Sequence, residues 1–144
     1  MPKELISGTV ARYCSKSKVV ILDERHQPDP SCFNLRQFRN ERYLSVYLLE
    51  YFDKLTEEEN LNAVKHTIEA GGFQCKTGIF ALLDVADSKH KFEQKKLKIS
   101  YQSLNLPHCG LFHEYNYEYH EMYITELLVQ CVKTCYSIKQ LERS

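Results

Sequence analysis

The period of hydrophobic and polar positions changes several times along the chain, and each change marks an element. Residues 8–14 (GTVARYC) and 18–23 (KVVILD) are rich in β-branched side chains and are separated by the turn-forming Ser15-Lys16-Ser17, a pattern that predicts a β-hairpin. The following HQPDPSC predicts a loop, because its two prolines donate no ladder hydrogen bond and push the residues before them out of the helical region. The next element then starts near Cys32, with residues 32–36 (CFNLR) expected as a short strand. From Glu41 onward Leu44, Leu48, Tyr51, Phe52 and Leu55 recur three and four apart, as on one side of a helix ending near Lys54, while YLSV over 43–46 is equally suited to an extended chain.

Thr56 with Glu59 three residues on forms a capping box, and Leu61, Val64 and Ile68 make one stripe until Gly71-Gly72 ends the helix. Residues 78–85 (GIFALLDV) are apolar on both faces and short, as in a central strand covered from both sides. Residues 96–101 alternate instead and predict a half-exposed strand. Residues 104–119 lack a sustained period and contain Pro107 and Gly110, which predicts a loop, packed down by Leu106, Leu111 and Phe112. Over 118–138, Ile124, Leu127, Leu128, Cys131 and Cys135 fall at helical spacing and predict a long helix lying on the sheet. The order β-β-β-α-α-β-β-α gives an α+β fold, a single globular domain over 1–144 with a mostly antiparallel sheet packed with about three helices.

Composition narrows the function classes. Nineteen basic residues balance nineteen acidic ones, so the molecule has no global field to gather a polyanion, and a nucleic-acid partner is disfavoured unless a local patch supplies the charge. The opening MPKELISGTV lacks a secretory pattern and no stretch approaches the apolar length of a membrane span, so a cytoplasmic protein with no membrane partner is expected. In that setting the six cysteines are expected as free thiols.

Several residues are candidates for chemistry. Arg12 lies inside an apolar strand, where a guanidinium needs a carboxylate, a cluster of carbonyls or an anionic ligand; Glu50 and Asp23 are candidate ion-pair partners. Arg36, Arg39 and Arg42, spaced by three, either hold a phosphate together or form a solvated face. His108, Cys109, His113 and His120 combine ligand types that zinc favours, but their spacing matches no finger, and no metal or other cofactor is expected. Cys109 beside His108, and Ser45 near Glu50, are conceivable nucleophile pairs. GxSxG, P-loop and GxGxxG patterns are absent, which disfavours common hydrolytic and dinucleotide-dependent enzymes. The row Tyr43, Tyr47, Tyr51 and the later Tyr115, Tyr117, Tyr119 and Tyr123 supply the amphipathic aromatic surface that interfaces favour.

VARYC at 10–14, CFNLR at 32–36, ERYLSVYLLEYF at 41–52 and LPHCGLF at 106–112 together resemble a widespread group of small bacterial proteins without an established activity, in which an Arg-Tyr strand precedes a Leu-Ser-Val then Leu-Glu segment and a late His-containing loop. That group's tryptophan before Leu-Glu is Leu48 here. The resemblance implies a bacterial or mobile-element origin. Arg12 and Ser45 are also similar to the arginine and serine of ADP-ribosyltransferase-like domains, which hold NAD in a cleft between two small sheets; their glutamate has no assigned match among Glu50, Glu114 and Glu118. Two functions are therefore expected to compete. One is a non-catalytic module that binds a protein partner as an accessory subunit, with Arg36, Arg39, Arg42, Tyr43 and Tyr47 at its surface. The other is an NAD- or nucleotide-binding enzyme using Arg12, Ser45 and His108 in one cleft.

Overall fold

The computed structural model describes residues 3–34, 42–113 and 117–142, with the backbone alone for 117–121. The elements follow in chain order as β1 (Lys3–Glu4), β2 (Thr9–Cys14), β3 (Val19–Leu22), β4 (Arg25–Pro28), β5 (Leu44–Leu48), α1 (Glu57–Ala70), β6 (Ile79–Asp84), α2 (Val85–Gln94), β7 (Ile99–Asn105), β8 (His108–His113), α3 (Tyr117–Cys131), β9 (Val132–Ser137) and α4 (Ile138–Glu142). Seven strands make one antiparallel sheet in the order β1-β7-β8-β5-β2-β6-β9, and β3 pairs with β4 in a separate ribbon. The α+β class is thus as the hydrophobic pattern indicates.

The two faces of the sheet are covered differently. One carries Val10, Cys14, Leu44, Val46, Ile79, Ala81, Leu83, Ile99, Tyr101, Cys109 and Leu111, buried beneath α2, α3 and the turn at Cys32-Phe33. On the opposite face Ala11, Phe80 and Leu82 are buried by Leu61, Val64 and Ile68 of α1 and by Ile138 and Leu141 of α4. These partners belong to β2 and β6. Among the described residues no helix covers the same face of β5, β8 and β7.

The Thr56 hydroxyl caps α1 by accepting from the Glu59 N–H at 3.1 Å, as the capping box predicts. β6 is a fully covered inner strand, paired with β2 over its whole length and with β9 on its other edge.

Elsewhere the local pattern misleads. β2 and β3 do not form a hairpin: β3 turns back through Asp23 and Glu24, both at positive φ, and pairs with β4, so His26 to Pro28 is strand where a loop was expected. Pro28 is tolerated because it ends a ribbon strand. The strand expected over 32–36 is instead a 3-10 turn over Pro30–Phe33, opened by the Asp29 carboxylate accepting from the Ser31 N–H at 3.0 Å; residues 35 and 36 lie outside the described residues. The helix expected over 41–54 is β5, followed by a 3-10 turn over Leu49–Tyr51. Leu44, Val46 and Leu48 alternate onto the larger core, whereas Tyr51 and Leu55 of the expected helical stripe are exposed, so the three-and-four spacing does not mark one buried face.

α2 was not foreseen in the sequence; its N-cap is Asp84, whose carboxylate accepts from the Asp87 N–H at 2.8 Å. The expected loop over 104–119 contains β8, an inner strand between β7 and β5. The long final helix stops at Cys131, and Val132–Ser137 pairs with β6 because the backbone edge of β6 offers it ladder hydrogen bonds. The cysteines are not all free thiols: Cys14 and Cys32 form a disulfide, their Cα atoms 5.8 Å apart, while Cys75, Cys109, Cys131 and Cys135 remain free.

Gly78 opens β6 at φ 97°, and a Cβ there would collide with the Cys14 carbonyl oxygen. Gly78→Ala combines that collision with a left-handed backbone and is expected to cost at least about 2 kcal/mol of unfolding free energy, measured by urea denaturation. A loss below about 0.5 kcal/mol, the scatter of neutral surface changes, would contradict this packing.

Candidate functional site

Inside the sheet, the shortest ladder is the one between β2 and β5. Only Val10 with Leu48 and Ala11 with Tyr47 are in register there, although β2 pairs with β6 throughout. Side chains close the seam at both ends. The Glu50 carboxylate accepts from the Thr9 N–H at 2.7 Å. Arg12 donates from Nε to the Cys32 carbonyl at 3.0 Å and from Nη1 to the Ser45 carbonyl at 2.9 Å. Among the described hydrogen bonds, both acceptors of the arginine are backbone carbonyls. Glu50, a candidate ion-pair partner in the sequence, is engaged with the backbone of β2.

Ser45 links this seam to the open face. Its hydroxyl lies 3.0 Å from His108 Nε2, and its carbonyl holds Arg12, so the three residues form one connected array. Arg12 and Ser45 line a cleft of about 370 Å³ with Tyr13, Lys18, Tyr47, Thr67 and Phe73; His108 is not part of its wall. This cleft lies between the sheet and the C-terminal turn of α1 rather than between two sheets. Burial lowers the His108 pKa, which keeps the ring neutral near pH 7 and able to accept a proton from the serine hydroxyl. Among the described hydrogen bonds no carboxylate engages the ring's other nitrogen.

An aromatic row crosses β5 and β8. Ring centroids are separated by 5.4 Å for Tyr47–His108, 6.0 Å for Tyr43–His108 and 5.3 Å for Tyr43–Phe112. Gly110 makes the row possible: a Cβ there would come within 2.7 Å of the Phe112 ring and 3.0 Å of the Tyr43 ring. Beyond Phe112 a smaller recess of about 320 Å³ is lined by Arg42, Lys98, Ser100, Gln102 and His113. Cationic side chains therefore stand at both ends of the row, Arg12 and Lys18 at one and Arg42 and Lys98 at the other.

The expected residues are divided by this geometry. Arg12, Ser45 and His108 are brought into contact, Tyr43 and Tyr47 lie along the same face as His108, and Arg42 lines the recess beside Phe112. Arg36, Arg39, Glu114 and Tyr115 lie outside the described residues, as do the side chains of Tyr117, Glu118, Tyr119 and His120. His108, Cys109 and His113 do not converge, because strand alternation turns His108 to one face and Cys109 and His113 to the other. No group of three or more metal-ligand side chains occurs among the described residues. Burial raises the Cys109 thiol to about 11, unlike an activated nucleophile. Phe112, Gly110 and Lys98 were missed as site residues; once 108–113 is recognised as a strand, alternation alone places Phe112 beside His108.

No family model, curated protein or solved structure matches the chain. No helix among the described residues is long and apolar enough to cross a membrane.

Two predictions follow from the seam and the ring. Arg12→Met leaves two carbonyls without their donor and is expected to destabilise by about 2–3 kcal/mol, with Arg12→Lys failing to restore it because an ammonium lacks the planar fork; thermal melts report both, and a fully rescuing lysine would count against the bridging role. Burial lowers the pKa of both His108 and His113, so the folded state binds fewer protons than the unfolded chain just below the ordinary histidine value. Stability should be complete above about pH 6.5 and fall as the pH drops below it. The slope of unfolding free energy against pH between about 7.5 and 5.5 should flatten in His108→Gln with His113→Gln; an unchanged slope would assign the dependence to other groups.

Proposed function

We propose that the protein is a non-catalytic binding module that docks a protein partner on the open half of its sheet. The observation that supports this reading is the aromatic row Tyr47–His108–Tyr43–Phe112, half-buried and lying on a face that no described helix covers. Rigid aromatic rings on a strand scaffold offer contact area at low entropic cost. Arg42 beside Phe112 favours a partner whose docking segment is acidic, because opposite charge steers encounter and fixes register.

The role as an accessory subunit of a bacterial or phage-related assembly rests on the resemblance carried by VARYC, CFNLR, YLSVYLLEYF and LPHCGLF. The cytoplasmic setting rests on that resemblance alone. The Cys14–Cys32 disulfide argues the other way, since such bonds persist mainly in oxidising compartments.

A photoreactive phenylalanine placed at position 43, 112 or 93 tests the surface in the cells that make the protein. Positions 43 and 112 should give the same single polypeptide adduct, position 93 on α2 should give none, and adding Arg42→Glu should lower the yield at least about tenfold, in line with a several-kcal/mol charge reversal. Adducts absent from 43 and 112, or identical at all three positions, would overturn the reading.

A further inference from the structure

The sheet ends on one side in β9, and the ribbon of β3 and β4 lies across a groove from that end. The groove has a volume of about 560 Å³ and is lined by Arg25 and His26 of β4 and by Cys135 and Ser137 of β9. Its apolar lining is Val129, Val132 and Cys135, rim residues of the larger core that are each only half-buried. β2 and β6 separate β9 from the strands of the aromatic row, so this is a second surface, independent of the first.

The register fixes which way the main chain points at each wall. The Ile138 N–H donates to the Gly78 carbonyl at 3.0 Å and Ser137 stands opposite Ile79, so residues 136 and 138 form the hydrogen-bonded pairs with β6. Cys135 alternates with them and turns its N–H and carbonyl away from β6, and the Ser137 N–H points the same way. On the other wall the Asp29 N–H donates to the Lys18 carbonyl at 2.8 Å, and Gln27 and Arg25 stand opposite Val20 and Leu22, which makes these the hydrogen-bonded pairs of the ribbon. His26 falls between them and turns its N–H and carbonyl away from β3. Among the described residues no main-chain hydrogen bond engages these outward groups of His26 and Cys135. Free sheet edges are ordinarily shortened or charged, and the opposite edge of this sheet, β1, is both, being Lys3 and Glu4 alone. β9 has six residues, and its one charged side chain, Lys133, is turned towards α1, 3.3 Å from the Thr9 hydroxyl and 3.9 Å from the Glu57 carboxylate. Residues 134–137 are left as an uncharged template.

We propose that this groove takes one extended segment of a partner polypeptide, added as a strand to β9 with β4 along its other side, and with every second side chain apolar against Val129, Val132 and Cys135. Main-chain hydrogen bonds supply the affinity in this mode, and the apolar positions supply the selectivity. The occupant is a separate polypeptide because a strand in this place needs both of its edges unpaired. Every described strand of this protein already pairs along at least one edge, so the described part of a second copy has none to give. Charge has little part in the recognition: Glu24 and Arg25 stand side by side at the ribbon turn, and Lys133 is held by Glu57. The segment also serves the ribbon, since two strands alone are marginally stable and a third supports them.

The probe is a synthetic peptide of alternating valine and threonine with a lysine at each end, titrated into the full chain and followed by amide spectra. It should bind at millimolar concentration or better and shift the amide signals of His26, Cys135 and Ser137. Two further peptides carry N-methyl groups on the valines or on the threonines, which blocks one strand edge or the other; each should bind at least about tenfold more weakly, a difference of about 1.4 kcal/mol. Cys135→Pro removes an outward N–H while leaving the ladder to β6 in place, as an edge strand tolerates, and should weaken the parent peptide by a similar factor with the melting temperature little changed. Tyr43→Ser on the other surface should leave the affinity unaltered. No binding at millimolar peptide, equal affinity of the N-methylated peptides, or shifts gathered at Tyr43 and Phe112 would overturn the proposal. So would a dimer of the full chain that Cys135→Pro dissociates, because the groove would then belong to a second copy. The crosslinking at positions 43 and 112 does not depend on these results, and either reading can fail alone.

Discussion

The seam between β2 and β5 is the constraint on which the architecture turns. A sheet interior normally closes its strands with main-chain ladders, yet here two residue pairs carry the register and side chains complete it. The Glu50 carboxylate and the Arg12 guanidinium sit at opposite ends of this short ladder, each satisfying backbone groups that the diverging strands leave without a strand partner. Charge-assisted bonds suit the task because they are roughly twice as strong as neutral ones. The divergence also opens the cleft, so a single structural irregularity creates both the need for Arg12 and the space it lines.

The second determinant is unequal coverage. Among the described residues, α2 and α3 bury one face of the sheet, whereas α1 and α4 bury the β2, β6 and β9 part of the other. Tyr47 stands on the border, touching the α1 core on one side and the His108 ring on the other. The open face is kept flat by Gly110 and furnished by alternate residues of β5 and β8. Ser45 couples the two regions, its carbonyl in the seam and its hydroxyl on the open face.

What could be read from the sequence depended on how local the cause was. The Thr56 cap of α1 and the doubly apolar β6 are set by neighbouring residues and were legible. β5 was not, because Leu44 and Leu48, four apart, share one face of a strand as readily as of a helix, while Tyr51 and Leu55, which completed the helical spacing, are exposed. β8 and β9 owe their extended state to pairing with β5, β7 and β6, distant in sequence, and Pro107 hid the first while the preceding helical stripe hid the second. At the site, the demand of Arg12 for partners was legible, but carbonyls 20 and 33 residues away leave no mark in composition. The Cys14–Cys32 disulfide was hidden for the same reason: it depends on the turn at Pro30–Phe33 folding back beside β2.

The most direct test of this account is amide hydrogen exchange on Arg12→Met against the unaltered chain. If the guanidinium closes the seam, protection should fall in β5 and in the turn over Pro30–Phe33 while β6 and α1 keep theirs. Equal loss across the whole sheet, or no change in β5, would contradict it.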